Sequence, residues 1–178
     1  MLVNTNFDER IVIDTLKTEW VPSPVAGVKR KMLDRLGAED ARATSIVRYA
    51  AGSAFTPHEH PLGEEFLVLS GVFSDEHGDY PAGTYVRNPP GSSHTAYSDK
   101  GCALFVQVRQ FDAFDTERVV IHTRNAEFRQ GLVPGLKVLP LHEFGTEHAA
   151  LVRWAPSTKF QPHTHWGGEE IFVLEGIF

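Results

Sequence analysis

The sequence predicts an all-β protein built from two tandem copies of one module. Three observations carry that expectation. Short runs rich in Val, Ile, Phe, Tyr and Thr are separated by turn residues, with 15 glycines and 11 prolines spread along 178 residues, the pattern of a sandwich or barrel. No segment sustains an apolar period of about 3.6 residues, so helices are not expected, apart from a helical turn at DAFDTER (112–118). Most informative is an internal repeat: shifted by 105 residues, IVRYAAGSAFTPHEHPLGEEFLVLSGVF (46–73) falls on LVRWAPSTKFQPHTHWGGEEIFVLEGIF (151–178) with 14 of 28 positions identical.

Taken in order, the expected strands are RIVIDT, TSIVRYA, EEFLVLSGVF, GTYVRNP, CALFVQVRQF and EIFVLEGIF. Upstream of the gapless match, GVKRKML (27–33) aligns with GLKVLPL (135–141) once a few residues are deleted. The expected organisation is a first module over 1–111, a linker over 112–134 and a second module over 135–178. The first copy runs on from Phe73 to about Phe111, whereas the second stops at Phe178. An open half-barrel leaves unpaired strand edges, so the second module is expected to be incomplete, finished either by further sequence or by another chain.

Composition excludes several classes of function. Net charge is −6 and the one basic cluster, KRKMLDR (29–35), contains Asp34, so it reads as a solvated strand or loop and nucleic acid is not an expected partner. No window reaches 18 uncharged apolar residues, and MLVNTNFDERIVIDT is acidic where an export signal is basic and then apolar. With a single cysteine, Cys102, read as a small buried residue, the expectation is a reducing cytoplasm and no membrane partner.

The chemistry-bearing stretch is HEHPLGEEF (58–66). Residues two apart on an extended chain face the same way, so His58 and His60 form a two-pronged pair. Glu64 and Glu65 take opposite faces of the next strand, the first sharing its face with Phe66, Val68 and Ser70, and one of them can join the histidines. The stiff turn in GTYVRNPPGSSH (83–94) then delivers His94. Three imidazoles and a carboxylate suit Zn, Fe, Mn, Ni or Cu better than Ca or Mg. The second copy repeats the set at His163, His165 and Glu169, and a packing histidine has no reason to recur with its partners.

Other residues have quieter readings. His77 belongs to a hairpin turn, and His122, His142 and His148 are surface or locally hydrogen-bonded groups. Glu65 and Glu170 form outward salt bridges, and Arg48 and Arg153, at equivalent repeat positions, make a structural ion pair in each copy. Tyr85, Tyr97, Phe66 and Phe105 pack in the core, and Trp20 anchors the N-terminal strand.

The spacing Gly52, His58, His60, Glu64, Gly71, followed by Gly83, Pro89, Gly91 and His94, resembles the two motifs of the cupin superfamily. Only the closing asparagine of the second motif departs, replaced by Ser98. The phrases EEFLVLSGVFSDEHGDYPAGTYVRNPPGSSH resemble the ChrR-type cupins in particular, over about residues 10–178. The resemblance implies tandem double-stranded β-helix (jelly-roll) modules and a metal held by His58, His60, Glu64 and His94, Glu64 being selected over Glu65 by the motif spacing. His163, His165 and Glu169 are the second-copy candidates, with Ser157 in place of the opening glycine. The namesake is an anti-sigma factor whose sigma-binding part is a separate helical zinc domain with a His-and-two-Cys motif. That motif is missing here, so direct sigma-factor contact is not expected. Two functions stay open: a stress-linked sensor or small-molecule-binding regulator, with zinc as the first expected metal, and a metal-dependent dioxygenase or related enzyme, with iron, manganese or nickel. A small organic ligand and a homodimer are the expected partners.

Overall fold

The computed structural model describes residues 1–178. Its strands are β1 (Leu2–Val3), β2 (Val21–Pro22), β3 (Val28–Leu36), β4 (Arg42–Tyr49), β5 (Ser53–Ala54), β6 (His58–His60), β7 (Glu64–Asp75), β8 (Gly78–Pro81), β9 (Thr84–Asn88), β10 (Ser92–His94), β11 (Tyr97–Ser98), β12 (Cys102–Val108), β13 (Val119–His122), β14 (Arg129–Gln130), β15 (Leu136–Phe144) and β16 (Glu147–Trp154). There is no helix, and DAFDTER forms a turn closed by Asp115 N–H donating to Asp112 O. No helix is therefore long and apolar enough to cross a membrane.

The chain divides into two units, Met1–Glu127 and Phe128–Phe178. Residues 112–134 contain β13, which pairs with β9, and β14, which pairs with β15. In the first unit the sheet order is β1-β3-β4-β12-β7-β11-β5, with β2 on β3, β8 and β9 on β7, and β6 and β10 as a separate pair. Every pairing is antiparallel, as hairpin-linked strands of 2–12 residues allow. One face of these strands closes on a core that includes Val28, Tyr49, Phe66, Val68, Phe73, Val86 and Leu104.

β7 is the spine of this unit, and it is bulged. Against β12, Ala103 pairs with Ser70 but Leu104 pairs with Val68, so Leu69 has no partner. An extra residue flips the side-chain alternation beyond it. Phe66 and Val68 point into the core before the bulge, and Phe73 does so after it, while Ser70 is exposed. The expected face of Glu64, Phe66, Val68 and Ser70 is thus cut short.

In the second unit β14, β15 and β16 reproduce β2, β3 and β4. β3–β4 and β15–β16 share a register, Val28 opposite Tyr49 and Leu136 opposite Trp154, and both skip one residue at the same place, Leu33 and Leu141. Ser157, in place of the opening glycine, keeps its left-handed backbone, with φ 64° against 74° at Gly52.

Four expectations are corrected. RIVIDT forms no strand: β1 and β2 pair with the two ends of β3, at Arg35–Leu36 and Lys29–Arg30, and residues 10–15 pair with no strand. EIFVLEGIF forms none either: its first-copy counterpart, β7, is held by β8, β9 and β12, and the described chain supplies no second set of these. KRKMLDR is not solvated; as part of β3 it buries Lys31, Asp34 and Arg35. Lys31 donates to Thr15 O and Arg35 to Ala38 O, while Asp34 pairs with Arg42. Lastly, Arg48 and Arg153 stack on aromatic rings. The Arg48 guanidinium lies 4.2 Å from the centre of Trp20, and Arg153 lies 3.9 Å from that of Phe128. The repeat preserved a cation–aromatic contact, and Trp20 does anchor the N-terminal segment.

Gly71 is the tightest turn in β7. Its φ is +74°, and a Cβ there would lie 2.0 Å from Gly101 O. Gly71→Ala is expected to cost about 2–4 kcal/mol, combining left-handed strain with a backbone clash. Gly52→Ala, with the same φ but open space around it, is expected to cost only about 1 kcal/mol. Urea unfolding of the two variants side by side checks the difference, and equal costs would refute the clash.

Candidate metal centre

The β6–β10 pair sets the first three side chains. His58 lies directly opposite His94, and His60 opposite Ser92, so period-two alternation puts all three imidazoles on one face. A cross-strand bond and a turn hold this pair in place: Gly91 N–H donates to His60 O at 2.9 Å, and Ser92 N–H closes the Pro89–Ser92 turn on Pro89 O at 3.1 Å. A second turn, in which Gly63 N–H donates to His60 O at 3.0 Å, leads into β7 and brings in Glu64.

The donor atoms converge. Those of His58, His60 and His94 all lie within 4.8 Å of one another. His60 Nε2 and His94 Nε2 are 3.1 Å apart, and Glu64 Oε2 is 3.5 Å from each. Donors about 2.1 Å from one ion stand about 3.0 Å apart at right angles and about 3.4 Å apart in a tetrahedron. The spacings among His60, His94 and Glu64 match those of ligands sharing a cation. His60, His94 and Glu64 are buried, whereas His58 is half-buried, so the cluster opens to solvent on the His58 side. A divalent transition metal fits this donor set. Burying an uncompensated carboxylate among imidazoles is otherwise unfavourable.

Hydrogen bonds orient the ring nitrogens that do not converge. His94 Nδ1 faces Asp75 Oδ2 at 3.4 Å, and His58 Nδ1 faces Thr56 O at 3.0 Å. Each acceptor favours the tautomer that leaves Nε2 with its lone pair. Asp75 is itself fixed: it accepts from His77 N–H at 2.8 Å and Tyr80 O–H at 3.0 Å, and Arg118 donates to the Tyr80 oxygen at 2.8 Å. Burial pushes Tyr80 up to about 12, with the Asp75 charge adding to it. The environment separates the two buried histidines. Burial lowers His60, only partly offset by Glu64. Burial also pulls His94 down, but the Asp75 hydrogen bond and the charges of Glu64 and Asp75 prevail and raise it.

Glu64 and Glu65 do take opposite faces, yet Glu65 is not an outward surface bridge. It is buried and accepts from Arg87 Nη1 at 2.8 Å and from the Tyr85 hydroxyl. Arg87 also bonds Asp115 Oδ2, at 2.6 and 3.1 Å, and lies 3.6 Å from the centre of the Phe111 ring. Register explains the split. Glu65 pairs with Arg87 on one face, and Glu64 pairs with Asn88 on the other, where Asn88 Nδ2 is 3.5 Å from Glu64 Oε2.

In the second copy the local geometry recurs without the barrel. His163 Nδ1 faces Gln161 O at 3.0 Å, His163 Nε2 and His165 Nε2 are 2.8 Å apart, and His165 Nε2 is 3.5 Å from Glu169 Oε1. All three residues are exposed and lie outside any strand, and no fourth donor joins them. Of the remaining histidines, His77 sits on the β7–β8 turn, His122 bonds Thr84 Oγ1 at 3.1 Å, His148 pairs with Glu143 at 3.7 Å, and His142 is buried. Sequence reasoning missed Asp75, because simple alternation puts it on the face away from Glu64. Only the bulge at Leu69 brings it round.

Comparisons with known proteins agree with this fold. No curated protein matches the chain in sequence. Among solved structures, a putative glyoxylate-induced protein from Pseudomonas aeruginosa is 12% identical over 77% of this chain and 59% of that one, with TM-score 0.58. A putative acetylacetone dioxygenase from Methylibium petroleiphilum is 17% identical over 65% of this chain and 92% of that one, with TM-score 0.51. A chain from the complex of SigE with the anti-sigma ChrR of Rhodobacter sphaeroides is 23% identical over 53% of this chain and 51% of that one, with TM-score 0.46, so the present chain matches about half of its length. At these identities the likeness is one of fold. The family model of the ChrR cupin-like domain matches residues 8–112 and 116–178, one segment on each copy of the repeat, and on that match the chain belongs to the ChrR cupin-like family.

Proposed function

We propose that the first unit is a transition-metal centre held by His58, His60, Glu64 and His94, and that the protein uses it to bind a small organic molecule as a stress-linked regulator. The observation that carries the reading is the convergence of His60 Nε2, His94 Nε2 and Glu64 Oε2 at 3.1–3.5 Å beside a half-buried His58. Membership of a family named for ChrR supports the regulatory side. A bound ion supplies Lewis acidity and, where its coordination exceeds four, open positions for a ligand. The chain's own residues do the rest. Asp75 and Thr56 orient the imidazoles, Asn88 steadies Glu64, and the aromatic core beneath excludes water. A dioxygenase is the second reading, favoured by the solvent-facing His58 side, which leaves a route for a substrate.

Elemental analysis of protein purified without added metal tests the proposal. One equivalent of zinc that resists chelation is expected for the regulator. Readily exchanged iron, manganese or nickel would move the conclusion to the enzyme. No metal, even after reconstitution, would refute the centre.

A further inference from the structure

The three imidazoles and Glu64 stand on different sheets. β6 and β10 form a pair of their own, whereas β7, which Glu64 opens, belongs to the main sheet of the first unit. The turn of residues 60–63 is the joint between them. Its closing bond, from Gly63 N–H to His60 O at 3.0 Å, recurs in the second copy from Gly168 N–H to His165 O at 3.1 Å. The histidine–glutamate spacing that follows is 3.5 Å in both copies. The turn by itself therefore sets Glu64 against His60. It does not set Glu64 against His94, which lies on β10; for that, the joint has to be held to the main sheet.

The residues that follow β12 hold it. β12 ends at Val108, opposite Glu64. The chain then leaves the sheet through Arg109, whose φ of 57° is left-handed although it is not a glycine; such conformations persist where the surroundings over-determine them, as in ligand clamps. Arg109 N–H donates to Gly63 O at 3.0 Å, and Phe111 N–H donates to Leu62 O at 3.4 Å. The buried Phe111 ring lies against Gly63: a Cβ there would meet ring Cδ2 at 2.0 Å and Asn88 O at 3.1 Å. The turn is thus enclosed between the ring and β9. The same ring lies 3.6 Å from the guanidinium of Arg87, which Glu65 and Asp115 hold. In the second copy, Gly168 keeps the left-handed backbone, with φ 88°, but a Cβ there would meet nothing within 4 Å.

We infer that Phe111 is a positioning residue of the metal centre: its ring and backbone N–H hold the 60–63 turn to the main sheet and so fix Glu64 with respect to His94. The inference rests on the metal reading above and adds what controls the affinity of that site. Phe111 acts through the turn and is not itself a ligand. Because its ring is stacked on Arg87, metal affinity depends on the Glu65–Arg87–Asp115 network, which lies on the face of β7 turned away from the histidines.

The test uses the full chain and cobalt(II) alone. The readouts are the dissociation constant from chelator competition, the cobalt d–d band, which reports coordination geometry, and the melting temperature of the metal-free protein. Phe111→Ala should weaken cobalt by about 10-fold, the scale on which removing a group that orients a ligand acts, and should change the band. Leu104→Ala, which empties a core position on β12, should also lower the melting temperature, yet leave the affinity within about 2-fold and the band unchanged. Gly63→Ala should weaken cobalt too, because its Cβ drives into the ring. In the double variant Gly63→Ala, Phe111→Ala that Cβ takes space the ring has left, so the two losses should not multiply. Phe111→Leu, which keeps the space filled, replaces Phe111→Ala if the latter does not hold its fold, and a smaller loss with the same change of band is expected. Wild-type affinity and band in the Phe111 variant, an equal loss in Leu104→Ala, or losses that multiply in the double variant overturn this inference alone. A wild type that takes up no cobalt sinks the metal reading as well.

Discussion

Arg87→Met is expected to be the most damaging single substitution in the first unit. Arg87 is fully buried, and its guanidinium serves two carboxylates, Glu65 and Asp115, under the ring of Phe111. Truncating it leaves both carboxylates enclosed without a counter-charge, which is strongly destabilising at about 3–5 kcal/mol. A domain of this size holds a margin of about 5–15 kcal/mol in total, so the melting temperature should fall by on the order of 10 °C or more. The triple variant Arg87→Met, Glu65→Leu, Asp115→Leu removes the orphaned charges with the cation and should recover most of the loss. Thermal unfolding followed by circular dichroism decides the matter. A single variant within about 1 kcal/mol of the wild type would show that the network carries no more than a surface ion pair does.

The same network explains which parts of the site were legible in the sequence. Glu64 and Glu65 stand side by side in one strand, and period-two alternation alone says that they part company. Motif spacing then sends Glu64 to the histidines. What alternation cannot say is whether the far face of β7 meets solvent or a second layer. It meets Asp115 and Phe111, which lie some fifty residues downstream, so Glu65 became a buried ion-pair partner. Arg87 reads in the sequence only as one charge in GTYVRNP.

Asp75 shows a different limit. It sits eleven residues past Glu64, on the wrong parity to meet His94. A single bulged residue, Leu69, reverses the parity, and nothing in FLVLSGVF marks that residue out. The repeat, by contrast, was the most reliable guide. It carried the register of β3–β4, the skipped residue and the left-handed Ser157 across to the second unit. It failed only where a strand needs neighbours. EIFVLEGIF has the composition of β7, but hydrogen-bonded ladders are made between segments, and its first-copy partners have no counterparts among the described residues. Trp166, Ile177 and Phe178 are accordingly exposed.

Metal should change the stability of the first unit far more than that of the second. A ligand that binds the native state alone stabilises it by RT ln(1 + [L]/Kd), about 4 kcal/mol at a thousand times Kd. In the first unit His60, His94 and Glu64 are held buried by two strand pairs and a turn, and their spacing exists only when the barrel is folded. Saturating zinc should therefore raise its unfolding midpoint by roughly that free energy, and chelation should reverse the rise. His163, His165 and Glu169 are exposed, and their mutual geometry is set by residues 161–169 alone. An unfolded chain recovers such local contacts easily, so metal there distinguishes poorly between folded and unfolded states. His60→Ala with His94→Ala should abolish the zinc-dependent shift, whereas His163→Ala with His165→Ala should leave it within about 0.5 kcal/mol of the wild type. A shift that survives the first pair and disappears with the second would place the working centre in the wrong copy. A shift lost in neither would mean that zinc acts elsewhere on the surface.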